Sequence, residues 1–309
     1  MALQIGGRRE HRPVKMLAAI YWFRGLMAAT DSHRAYEVGR KLEPHLIKKV
    51  EGSVSQHTNN WRGYASGRRL PSKARLAHVE GLVPGSSGAF EHELWSLLSC
   101  VITGKQPSIN KLASRVESLT KLSLRPETVR RNRPLAKYRN VIILIPNREP
   151  LTALFIALAG MYFTSREVDE TRFRQWQSIM YAALLMHAPH LLERKIFGPV
   201  VDLIDIVLAH LAQECKTRYS FDAKHLFKRS EWIAQMLPMS ELTEGDYHRR
   251  LALFTGQCLS GKHGQFVSVC LWPRLIAVDP TDAGAQALVE ADERMQFGWL
   301  KTIVSMDPC

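Results

Sequence analysis

Apolar residues along this chain recur three and four positions apart, and that spacing constrains the fold more than any other feature of the sequence. Met16, Ile20, Phe23 and Met27 fall on one helical face behind Pro13, which suits the first turn of a helix. Asp31 or Ser32 caps a second helix that Pro44 ends or kinks, and a third short one carries Leu46, Ile47 and Val50 to Gly52. Ser53 or Ser55 caps a helix to about Ala65, stopped at Ser66-Gly67. Pro71-Ser72 begins the next, with Leu76 and Val79 inward, and His92 to Val101 buries Leu94, Trp95, Leu97 and Leu98. Ile109, Leu112, Ala113, Val116 and Leu119 share another face. Farther on, Thr164 with Glu167 has the capping-box pattern of a helix to about His187, stopped by Pro189. Helical faces follow at Val200–Leu211, behind Asp222, behind Thr243 and behind Pro280. Strand character is confined to VIILI (141–145) and FVSVCLW (266–272). The expected fold is mainly α, with at most a few short strands.

Charge divides what periodicity does not. The 309 residues carry a net +13, and 309 residues exceed one typical domain. Residues 1–139 hold 25 Lys and Arg against 10 Asp and Glu, whereas 140–309 hold 17 against 19. The whole excess lies in the first part. A basic helical domain, 1–139, is expected to bind a polyanion, and a near-neutral helical domain, 140–309, to serve self-association or partner binding. The boundary falls within 134–150. Five scattered cysteines point to a reducing compartment rather than a disulfide framework. The apolar run Leu151–Phe163 is too short for a membrane span, and Met16–Phe23 ends at Arg24 without a cleavage site. The expected setting is cytoplasmic, away from the membrane.

Residues 53–72, SVSQHTNNWRGYASGRRLPS, concentrate side chains that contact DNA. Arg bonds guanine, Asn and Gln bond adenine, and Ser, Thr and Tyr reach phosphate. Gln56, His57, Asn59, Asn60, Arg62 and Tyr64 supply the outer face of the predicted helix 55–65, with Trp61 and Ala65 inward. Arg68, Arg69, Lys73 and Arg75 follow as phosphate contacts. Val54-Ser55, Thr58, Trp61, Gly67, Arg68-Arg69, Pro71-Ser72 and Leu76 follow a cadence that resembles lambda-repressor-like helix-turn-helix domains of the xenobiotic-response-element type, over about 42–98. The resemblance implies that helix 55–65 enters the major groove. A second basic stretch, LSLRPETVRRNRPLAKYR (122–139), adds Arg130, Arg131 and Arg133 as nucleic-acid contacts.

Other motifs are weaker. GQCLSGKH (256–263) resembles a phosphate loop, but His263 stands where the Mg²⁺-binding hydroxyl belongs. His187, His190 and Glu193 are interrupted by Pro189; Cys258, His263 and Cys270 lack a fourth zinc ligand; and Asp202 with Asp205 reads as a helix's polar stripe. No nucleophile has a recognisable base. No catalytic residue, metal or cofactor is therefore expected. The expected function is that of a sequence-specific DNA-binding protein, a transcriptional regulator, with RNA as another ligand and a homo-oligomer formed through the second domain. The alternative is a non-catalytic helical adaptor in a multiprotein assembly, its basic face meeting RNA or an acidic protein.

Overall fold

Helix-forming segments broken by prolines, glycines and capping serines leave this chain few options but helices packed on helices. The computed structural model describes residues 12–50, 53–56, 60–120, 144–167, 169–237, 247–260, 262–263, 267 and 270–305, and within 46–59 and 295–305 the backbone alone. It is mainly α, as the periodicity predicts. The strands among the described residues form two antiparallel two-stranded ladders. The chain divides into two compact units, 1–103 with 191–200, and 104–190 with 201–309. This packing division falls at 103/104, whereas the charge excess extends to 139.

The first unit comprises α1 (Arg12–Ala29), α2 (Ala35–Leu42), a 3-10 turn (Pro44–Leu46), β1 (Ile47–Val50), β2 (Ser53–Gln56), α3 (Asn60–Ala65), α4 (Lys73–Leu82), α5 (Ser86–Phe90) and α6 (Glu93–Ile102). Helix α1 is its axis and buries Trp22, Phe23 and Leu26 fully. These pack with Val38 and Leu42 of α2, Trp61 and Tyr64 of α3, and Leu76 and Val79 of α4. Met16 and Ile20, expected at the heart of the α1 face, are half-buried and meet Gly67. Gly67 ends α3 at φ +68°, and a Cβ there would stand 3.0 Å from the Met16 Cβ. Both the left-handed backbone and the close approach require glycine. Ser72 caps α4 as expected, its hydroxyl accepting from the Arg75 N–H at 3.2 Å.

The predicted helices over 46–52 and 53–65 are corrected by β1 and β2. These pair antiparallel, with Ile47 opposite Gln56 and Val50 opposite Ser53. Ile47, Val50 and Val54 are β-branched, and the link between the strands is two residues long, a hairpin length. Of the predicted helix 53–65, α3 spans Asn60–Ala65.

The second unit holds α7 (Ile109–Thr120), a 3-10 turn (Ile145–Asn147), α8 (Pro150–Arg166), most of α9 (Glu170–Glu193) and of α10 (Phe197–Leu211), β3 (Thr217–Ser220), α11 (Ala223–Met236), α12 (Tyr247–Leu259), β4 (Arg274–Ala277) and α13 (Ala283–Ser305). Helix α8 is apolar on every side and buried from Pro150 to Thr164 except at Thr152. At Gly160 it meets the Trp176 ring of α9 so closely that any Cβ would overlap it. Three expectations change here. Thr164 sits in the last turn of α8 and bonds the Gly160 carbonyl at 2.9 Å; the cap of α9 is Asp169, which accepts from the Arg172 N–H at 3.0 Å. Pro189 lies inside α9, which runs on to Glu193. The described part of 266–272 is not a strand: the Leu271 N–H bonds the Val267 carbonyl at 3.2 Å, a helical turn.

Strand β3 pairs with β4, Thr217 opposite Ala277. Its other edge is closed by side chains. Glu170 accepts from the Thr217 N–H (3.2 Å), Gln177 from the Tyr219 N–H (2.7 Å) and Asp205 from the Phe221 N–H (3.1 Å). Alternate residues of a strand direct their N–H groups to one edge, so three oxygens on α9 and α10 answer one row of donors. The edge can then recruit no further strand.

Candidate nucleic-acid interface

Helix α3 is six residues long, and its two aromatics, three positions apart, both face inward. Trp61 is 2% exposed and lies parallel to Trp22, with centroids 6.3 Å apart and 18° between the planes. Tyr64 is 5% exposed and meets Trp22 and Trp61 edge-on at 5.5 and 5.7 Å. Residue type and position predict Tyr64 among the nucleic-acid contacts. Its ring belongs to the core, and burial raises the pKa of its hydroxyl.

A buried acid organises the same place. The Trp61 Nε1–H donates to Glu43 Oε2 at 3.1 Å, and Glu43 Oε1 forms an ion pair with Arg75 Nη1. The Arg75 guanidinium also stands over the Trp61 ring, 5.7 Å from its centroid. A carboxylate only 5% exposed needs a cation and a donor at hand, and Glu43 has both. Arg75 was expected to hold phosphate. It is instead the internal counter-ion of Glu43, and that position is corrected.

The other cations have no such duty. Arg62, Arg68 and Lys73 are exposed, and among the described residues their side chains make no hydrogen bond or ion pair. Arg69 is exposed too, and its Nη1 donates to Asn60 Oδ1. Between Glu51 and Glu80 the sequence holds no acidic residue. Lys73 occupies the first position of α4, where the exposed N–H groups already carry partial positive charge and acids are the favoured residues. Ser66 to Ser72 joins α3 to α4, with Leu70 41% exposed. The result is a basic turn with a satisfied interior and an unneutralised rim.

The remaining predicted contacts divide between backbone and undescribed residues. Gln56 is the last residue of β2, described by its backbone alone. His57 and Asn59 lie outside the described residues, as do Arg130, Arg131 and Arg133. The structure therefore brings together Asn60, Arg62, Arg68, Arg69 and Lys73. Glu43 was missed by sequence reasoning; its one signal is that it directly precedes Pro44, upstream of the acid-free stretch.

Sites set aside in the second unit are built into its framework. Asp205 takes both guanidinium nitrogens of Arg218, at 2.6 and 3.3 Å, while Asp202 is exposed. His187 is buried, and that burial lowers its pKa to about 4 against a hydrogen bond with the Ile145 backbone. His190 stacks edge-on against His248 at 5.9 Å. Gly256, the first residue of the loop-like motif, lies inside α12 against Met186. Cys258 is in an apolar cluster with Ile233 and Leu271, and burial raises its pKa, like that of Cys215, to about 11. Such thiols are protonated at neutral pH and are poor nucleophiles. Among the described residues, no three His, Cys, Asp or Glu side chains are grouped to hold a metal ion. No described helix is long and apolar enough to cross a membrane. Comparison with known proteins returns no match to this chain among family models, curated proteins or solved structures.

Proposed function

We propose that this chain is a DNA-binding protein acting as a transcriptional regulator, and that its phosphate-binding surface is the turn from α3 to α4. One observation carries the reading: Arg62, Arg68, Arg69 and Lys73 are exposed in a segment that holds no acidic residue between Glu51 and Glu80, and the buried carboxylate beside it, Glu43, is already paired with Arg75. Four outward cations beside a helix N-terminus repel one another, and a polyanion relieves that repulsion.

Burial of the aromatics favours a duplex over a single strand. Proteins that hold unpaired RNA or DNA stack the bases on exposed aromatic side chains. Trp61 and Tyr64 are both in the core. What remains outside, apart from Leu70, is charge, amide and hydroxyl, the groups that grip a duplex backbone. The near-neutral stretch 140–309 would carry self-association, for which Ile206, Trp272 and Leu288 offer exposed apolar side chains. A dimer would impose a two-fold operator.

The test is fluorescence anisotropy with labelled duplex and single-stranded DNA of equal length, in random-sequence competitor. The reading predicts preference for duplex and a competitor-resistant fraction on a selected site. Equal binding of the single strand would overturn the duplex assignment. No binding of either by the folded chain would move it to the class of helical adaptors.

A further inference from the structure

The turn treats its outward cations unequally. Arg62, Arg68 and Lys73 extend without a side-chain partner among the described residues, whereas Arg69 is held at three points. Its backbone N–H donates to the Gly63 carbonyl at 3.1 Å. Its aliphatic stem lies on Gly63, where an added Cβ would come within 2.8 Å of the Arg69 Cγ. Its Nη1 donates to Asn60 Oδ1. Gly63 and Asn60 are three residues apart on α3, so one face of this short helix forms a bed for one arginine.

A phosphate contact needs a nearby charge and tolerates a mobile side chain. Reading a base edge needs the donors fixed in place. With Nη1 committed to Asn60, the guanidinium retains Nε–H and the Nη2 donors, two parallel groups spaced for the N7 and O6 acceptors of guanine. Resting on the duplex-DNA reading above, we infer that Arg69 reads a guanine in the major groove through Nε and Nη2, with Asn60 and Gly63 as positioning residues. Arg62, Arg68 and Lys73 hold phosphates. Asn60 thus orients the reading arginine and does not itself read adenine.

The experiment selects a duplex from a random pool with the full chain, then replaces each guanine of that site in turn by 7-deazaguanine, which lacks N7 but pairs normally. At one position the wild-type chain should lose affinity on the order of tenfold. Arg69→Lys, which keeps the charge, should bind random duplex like wild type, lose on the order of tenfold in discrimination, and no longer respond to that 7-deazaguanine. Asn60→Ala, at a half-buried surface position, should lose discrimination in the same direction with an unchanged melting temperature and unchanged random-duplex affinity. Lys73→Ala should weaken both duplexes by the same factor. The inference is overturned if no guanine position responds, if selection enriches no sequence, or if Arg69→Lys discriminates like wild type. Those results leave duplex binding intact, whereas a wild-type chain that binds no duplex overturns the reading beneath it.

Discussion

The α3–α4 segment of the first unit and the α8–α9 pair of the second solve one packing problem with opposite polar outcomes. Each seats a tryptophan against a helix: Trp61 on Trp22 of α1, and Trp176 on Gly160 of α8. In the second unit the polar groups turn inward, and Glu170, Gln177 and Asp205 are taken up by the N–H groups of 217, 219 and 221. In the first unit one acid, Glu43, is consumed inside, and Arg62, Arg68 and Lys73 are left outside without a side-chain partner among the described residues. Satisfied polar groups hold a fold together. Unsatisfied exposed charge is what remains available to a ligand.

Trp61→Ala should have the largest effect, about 3–5 kcal/mol, because it empties a fully packed aromatic site and leaves Glu43 without its indole donor. Urea unfolding measures it, and a loss below about 1 kcal/mol would mean the aromatic cluster does not anchor α3. In the second unit, buried His187 has a pKa near 4 against an ordinary 6.5. The unfolded chain therefore binds the proton first, and stability falls as pH drops from 6.5 to about 4, by roughly 3 kcal/mol in all. His187→Gln should flatten that window in a pH series of unfolding curves.

Gly160→Ala should cost about 1–3 kcal/mol, since Trp176 must move to admit one methyl group. The smallest effect belongs to the first unit's surface. Glu80 accepts from the Gly85 and Ser87 N–H groups and the Ser86 hydroxyl, and these bonds lower its pKa to about 2. A depressed carboxylate stabilises the fold above its unfolded value and loses that contribution as pH falls through its folded one. The melting-temperature difference between wild type and Glu80→Gln should be constant above pH 5 and close between about pH 4.5 and 2. Acid should thus unsettle the second unit through His187 before it touches the first through Glu80.

Much of the helical framework was legible, because helices announce themselves locally. The helix starts at Ser72 and behind Asp222, where the structure adds caps (the Asp222 carboxylate accepts from the His225 N–H at 2.7 Å), and the inward set Leu94, Trp95, Leu97 and Leu98 stand where spacing puts them. The strands were not legible. Each is four residues long, and β3 finds β4 more than fifty residues away, a pairing no local pattern encodes. Pro189 removed one N–H from α9 without ending it, where surrounding packing outweighed the local penalty. At the α3–α4 turn, Arg62, Arg68, Arg69 and Lys73 stand exposed, as their residue types suggest. Tyr64 and Arg75 were misplaced for physical reasons. An amphipathic phenol three positions from Trp61 follows it inward, and Arg75 answers an acid 32 residues upstream.

The most direct measurement is the salt dependence of duplex binding for wild type and for a chain with Arg62, Arg68, Arg69 and Lys73 all changed to Gln. Each phosphate contact contributes about 0.9 to the slope of log affinity against log salt. If this turn grips the backbone through Arg62, Arg68 and Lys73, the slope should fall by roughly three in the variant while its urea unfolding curve stays that of wild type. An unchanged slope in a folded variant would place the phosphate contacts elsewhere on the chain and contradict the account.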